Sequence, residues 1–217
     1  MKMQITRSNI LLKCLGKLKW SVWSIFRFIR IRGVIKTEIQ RTIICDNCLG
    51  GIVSHDLGLR FCSPFVNLWI PTNHYIEILQ NIHLLKTYSF EDITPCNSSY
   101  PIGLLAGKWV VHFMHYKSFE EAVSKWNERT SRMDLNNMYV ILVETHSCTC
   151  EDMVRFDKLP FKNKIIVAHK SYPEIRSAVA IKNYDGLNKN GEIFRPYKIW
   201  GGCLYNQINW VKFLGLR

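Results

Sequence analysis

The 217-residue chain contains no uninterrupted apolar run of about 18 residues or more, which argues against a transmembrane helix. A secretory leader is also missing: Lys13, Lys17 and Lys19 break the early apolar runs, and no small-residue cleavage site follows them. The expected location is therefore cytoplasmic. In that setting the eight cysteines read as thiols rather than as a disulfide framework. Acidic residues are scarce, with 17 Asp and Glu against 29 Lys and Arg and a formal net charge of +12.

What is present is a folding composition, 47% hydrophobic and 12% aromatic with seven tryptophans, unlike the polar, aromatic-poor make-up of disordered chains. The length suits one main domain. The excess positive charge sits at the front, where residues 1–41 hold ten basic side chains against the single acid Glu38. In residues 9–36, written as a helix, Ile10, Leu11, Leu15, Leu18, Val22, Ile25 and Ile29 share one side, and Trp20, Trp23, Phe26 and Phe28 are interleaved with Lys and Arg. This pattern fits a helix lying on an anionic membrane surface, with aromatics at headgroup depth. The alternative is a helix packed on the domain with its charges solvated. A nucleic-acid partner is not expected, because the body adds no basic patch with base-stacking aromatics. The division is thus a basic amphipathic segment, 1–36, and one domain, 37–217.

From residue 37 onward, short β-branched runs alternate with helical ones. "TIIC" (42–45), "NMYVILVET" (137–145) and "NKIIVAHK" (163–170) read as strands, "PFVNLWI" (64–70) as an extended segment, and residues 100–116 as a hairpin. Residues 72–86 and 118–133 read as helices, the second opened by a Ser118/Glu121 capping box. Thr149 with Asp152 opens a helix over 149–159, and Ser171 with Glu174 predicts another after the third strand. The expected fold is α/β: three layers, a mixed and mostly parallel sheet with helices on both faces, preceded by the basic N-terminal helix. Ligands of such sheets gather beyond the carboxyl ends of the strands.

The stretch "IICDNCLGG" (43–51) poses the chemical question. Its CxxC pair, Cys45 and Cys48, supplies two ligands where a structural zinc needs about four, and Cys148 with Cys150 would bend poorly around the same ion. A thioredoxin-type couple needs the helix to start at the first thiol, whereas the glycines place the expected start after Gly51. A single nucleophilic Cys48 in a strand-to-helix turn would face backbone N–H groups and the helix dipole, both of which lower a thiol pKa. Gly50 and Gly51 would let the backbone approach a phosphate or acyl oxygen. Its base would come from His112, His115 or His146, all near strand ends. The plainer reading is a small buried cysteine beside turn glycines. Asn47, Ser63, Asn67, Tyr116, Thr145 and Thr149 complete the expected substrate-facing set. Thr149 also serves the helix cap, and Glu144 and His146 share its junction. No metal ligand set and no cofactor are expected.

"IICDNCLGG", "SPFVNL", "YPIGLL", "HFMHYKSFEEAVSKW" and "VILVETHSCTCEDMVRFDKLPFKNKIIVAHKSYPE" together resemble the domain-of-unknown-function 1919 family, whose members are often labelled exopolysaccharide biosynthesis proteins. The likeness runs from about residue 41 to 213. In that family serine commonly precedes Asn-Asn-Cys, so Asn47, Cys48, Gly50 and Gly51 match and Cys45 departs. The resemblance implies a role in exopolysaccharide, capsule or lipooligosaccharide assembly, and the basic aromatic segment 1–36 would place it at the inner face of the membrane. The partner would be a glycan or a nucleotide- or lipid-linked sugar. No DxD carboxylate pair of the kind used in metal-dependent glycosyl transfer occurs. Acyl or related group transfer through Cys48 and a histidine is the expected chemistry, with a glycosyltransferase lacking DxD, or a non-catalytic glycan- or partner-binding assembly factor, as alternatives.

Overall fold

The structure is a computed structural model that describes residues 40–185, 192–194 and 202–216. The basic segment 1–36 lies outside the described residues. Four strands, β1 (Thr42–Cys45), β5 (Met138–Val143), β6 (Asn163–Ala168) and β7 (Ala178–Ala180), form a sheet in the order β1-β5-β6-β7 with every neighbouring pair parallel. A second, antiparallel sheet, β2 (Phe90–Asp92), β3 (Ile102–Leu105) and β4 (Trp109–His112), is inserted in the long crossover from β1 to β5. The helices are α1 (Leu49–Asp56), α2 (Thr72–Gln80), α3 (Phe119–Thr130), α4 (Cys150–Asp157) and the short α5 (Trp210–Phe213), with a 3-10 turn at Ile82–Thr87. The α/β expectation holds, and the mixed character resides in two separate sheets.

β1, β5 and β6 are buried on both faces, so their side chains divide with a period of two between two cores. Ile44, Val140, Leu142 and Ile166 point to one core with α2, α3, α4 and the antiparallel sheet. Ile43, Cys45, Tyr139, Ile141, Val143, Ile165 and Val167 point to the other, filled by Leu49 and Val53 of α1 and by Leu204, Trp210 and Leu214 near the C-terminus. Helices therefore cover both faces of the sheet. Tyr75 of α2, fully buried, donates its hydroxyl to the Ile141 carbonyl (2.9 Å) and so ties the helix layer to the central strand.

Helix starts follow their caps: Ser118 accepts from the Glu121 N–H, and Thr149 with Asp152 closes a reciprocal capping box. Two expectations are corrected. Ser171 and Glu174 open no helix; residues 171–177 form turns, and Ala178–Ala180 add an edge strand to β6. A three-residue Ala-Val-Ala run has no period of its own, so pairing with the sheet decides its conformation. The helix after β1 also begins earlier than expected, at Leu49 with Cys48 as its N-cap residue, so both glycines lie inside α1.

Their role there is close packing. A Cβ on Gly50 would stand 2.9 Å from Cys45 Cβ and 3.4 Å from Ile43 Cγ2. Helix propensity alone would make Gly50→Ala stabilising by about 1 kcal/mol. Overpacking against a strand costs about 1–3 kcal/mol, so the contact sets the sign. Gly50→Ala is expected to lower the urea midpoint; an unchanged or raised midpoint would show that α1 has room to move off β1.

Candidate functional site

Asp46, Glu144 and His169 are the first residues after β1, β5 and β6, and they stand side by side along the carboxyl edge of the parallel sheet. Asp46 is 1% exposed. Its Oδ1 accepts from the Val143 N–H (3.2 Å) and from the Cys45 thiol (3.5 Å), and its carbonyl accepts from the Ile70 N–H (2.8 Å). Burial outweighs these hydrogen bonds and pushes the carboxyl up to about 7.

Glu144 is 5% exposed and more fully partnered. Its Oε2 accepts from the His169 N–H (2.8 Å), its Oε1 from the Tyr172 hydroxyl (2.5 Å), and its carbonyl from the Tyr184 hydroxyl. His169 Nδ1 also lies 2.8 Å from Glu144 Oε2, an ion-pair distance reached off the hydrogen-bond direction. That nitrogen is buried while the side chain keeps 23% exposure, so the ring shows solvent the part away from Nδ1. Lys170 Nζ stands 5.3 Å from the centre of the Tyr172 ring. Burial and the Glu144 carboxylate raise the Tyr172 phenol above its ordinary value.

Cys48 and Cys148 occupy the same edge. The Cys48 thiol is half-buried and points at the Leu68 carbonyl (3.7 Å). Burial, and then the charge of Asp46, push it up to about 11. The lowered pKa expected from the helix start is not found: Cys48 is the N-cap residue, but its side chain caps nothing. Cys148 is raised further, by burial and then by Asp46, Asp152 and Glu144. Burial, and then acidic neighbours, thus hold both thiols in the protonated form.

The other expected residues separate into groups. Asn47, Cys48, Gly50, Gly51, Asn67 and Tyr116 are gathered around the start of α1. Asn47 Oδ1 accepts from the Leu49 N–H (2.9 Å), so its oxygen caps the helix. Gly50 and Gly51 are buried, Gly51 against Val66. Asn67 is exposed in the left-handed region (φ 61°), a conformation asparagine tolerates. Tyr116 donates to the Val66 carbonyl (2.9 Å) and receives Arg129 Nη1 (2.5 Å), bracing this segment. Thr145 and His146 follow β5, with His146 exposed and Thr145 Oγ1 bonded to Ser147 Oγ (3.2 Å). Thr149 is engaged in its capping box.

Ser63 is buried, accepting from the Phe65 N–H as a turn residue. His115 is exposed. His112 sits in the antiparallel sheet, packed at a tilt on Trp69 at 4.5 Å and bonded to the Tyr100 hydroxyl, with burial and then His74 holding its ring below the ordinary value. The Cys48 thiol is hydrogen-bonded, among the described residues, to the Leu68 carbonyl and to no histidine. Among the described residues no three His, Cys, Asp or Glu side chains are grouped to hold a metal ion. No helix there is long and apolar enough to cross a membrane.

Asp46, His169 and Tyr172 were not singled out from the sequence. A signal for two of them was available, since Asp46 and His169, like Glu144, are the first polar residues after β-branched strands in an expected parallel sheet.

Comparison with known proteins gives a family and one relative. A family model described as "Domain of unknown function (DUF1919)" matches residues 23–215. An uncharacterized protein of Haemophilus influenzae is 42% identical over 192 residues, covering 85% of this chain and 92% of the relative.

The buried Asp46 carboxyl makes stability depend on pH. It holds its proton to about 7 when folded, against roughly 3.9 for an unfolded aspartate. The folded chain therefore binds more protons across that window, and stability falls as pH rises from about 4 to about 7, then levels. Asp46→Asn is expected to flatten this part of the urea-midpoint profile. An identical slope in wild type and variant would show that Asp46 is not buried as a neutral acid.

Proposed function

Because the chain belongs to the domain-of-unknown-function 1919 family, we propose that it is a transferase of cell-surface polysaccharide synthesis, acting on a glycan or its activated donor at the carboxyl edge of the parallel sheet. The biological setting rests on the sequence resemblance to exopolysaccharide biosynthesis proteins. The chemistry rests on one observation: a buried glutamate, Glu144, accepts the backbone N–H of a part-exposed histidine, His169, and stands 2.8 Å from its Nδ1 where two parallel strands end. A histidine oriented by a carboxylate is the usual general base for activating a hydroxyl.

In this reading the part of the His169 ring facing solvent takes the proton from a sugar hydroxyl of the acceptor. That oxygen forms a bond to the donor's electrophilic centre while the bond to the leaving group breaks, and the leaving group departs with the electron pair. The proton on His169 is then returned to the leaving group. Glu144 positions the residue by accepting its backbone N–H. Cys48 is the weaker candidate, because its thiol is pushed up to about 11 and faces a carbonyl. Residues 1–36 would hold the enzyme at the anionic inner leaflet, where lipid-linked sugars reside.

The test is complementation of a deletion strain, read by mass spectrometry of the surface glycan, with folding of each variant checked by circular dichroism. His169→Ala is expected to fold and to lower product by roughly 10²–10⁴-fold, the usual contribution of a general base. Cys48→Ala is expected to fold and to retain product. Normal glycan from a folded His169→Ala would contradict the catalytic reading and favour a non-catalytic assembly factor.

A further inference from the structure

Away from the strand ends, an open cleft of about 500 Å³ lies between the segment from the 3-10 turn to β2 and helix α3. We propose that this cleft holds a length of saccharide chain, a second subsite that rests on reading the protein as one that handles glycan. None of its lining residues belongs to the Asp46–Glu144–His169 cluster.

The lining has the two surfaces that a pyranose needs. One wall presents the half-buried rings of Tyr88 and Phe90. They are held from behind: Tyr88 packs on Trp109 at 5.4 Å, and Phe90 meets Trp126 at 5.0 Å and Phe113 at 5.3 Å. Gly103 seats Phe90, since a Cβ there would stand 2.7 Å from Phe90 Cδ1. Ordered rings of this kind offer an apolar platform to the C–H face of a sugar with little side-chain entropy to lose.

The opposite wall presents exposed polar groups of α3 and its end, Asn127 and Ser131, with Ser89 on the near side. Ser131 Oγ donates to the Glu128 carbonyl (2.8 Å), which leaves its lone pairs to accept from a sugar hydroxyl. The Asn127 carboxamide adds both donors and an acceptor. The size falls within the range of small-molecule sites, about 300–1,000 Å³. Polar groups and aromatic rings share the lining, which fits neither an acyl chain nor an apolar peptide face. Among the described residues, Lys86 is the one charged residue in the lining, and no carboxylate belongs to it. An acidic sugar would place its carboxylate there.

The experiment is isothermal titration calorimetry of the full chain with two probes, a hyaluronan hexasaccharide and the neutral maltohexaose. At least one is expected to bind. Asn127→Trp, a change at an exposed helix position that fills the cleft, is expected to weaken that binding at least about tenfold. Lys86→Ala is expected to weaken the hyaluronan probe alone. Absence of binding by both probes, or unchanged binding by Asn127→Trp, would overturn the proposal. If the cleft fails in this way while His169→Ala still abolishes the surface glycan, the transferase reading stands without it. If the cleft binds while a folded His169→Ala makes normal glycan, the subsite stands and the transferase reading falls.

Discussion

Burial of two carboxylates at the ends of adjacent parallel strands is the constraint from which the arrangement of the site follows. A buried carboxyl group must be neutralised or hydrogen-bonded, because desolvation otherwise costs several kcal/mol. Asp46 and Glu144 meet this demand differently. Asp46 has one backbone donor and one thiol, and it retains its proton to about 7. Glu144 gathers the His169 N–H and the Tyr172 hydroxyl and stands against the His169 ring. In doing so it fixes the chain leaving β6 and places a histidine at the mouth of the sheet. The thiols of Cys48 and Cys148, set among these acids, are held protonated by the same burial and charge.

The division between strands and helices was largely readable from side-chain periodicity. β1, β5 and β6 are β-branched runs buried on both faces, α3 begins at the Ser118 N-cap and α4 at the Thr149–Asp152 capping box, both written in the sequence. What could not be read was structure created by distant contacts. β7 exists because Ala178–Ala180 pair with β6. Residues 64–70, expected as an extended segment, contain an irregular stretch in which Trp69 makes an isolated bridge to His112. The start of α1 was displaced because glycines that suggested a turn serve instead to bring a helix against β1.

Sequence and structure point to the same edge of the sheet and to different side chains on it. The carboxyl edge of the sheet was the expected place, and Asn47, Cys48, Asn67, Thr145 and His146 lie in segments that reach it. The conspicuous cysteine drew the reading toward a nucleophile. Whether a thiol is activated depends on its neighbours, and Asp46, next but one in sequence, raises it together with burial. His169 offered little signal by itself. Its partner Glu144 lies 25 positions earlier, joined to it only by the parallel pairing of β5 with β6.

The central claim is that the glycan substrate meets the protein at the ends of β1, β5 and β6. Hydrogen–deuterium exchange of the purified chain, with and without lipid-linked glycan extracted from a strain lacking this protein, tests it most directly. The expected result is protection in peptides spanning 44–52, 142–150 and 166–173, whatever happens elsewhere. Unchanged exchange in all three, with the glycan bound, would contradict the account.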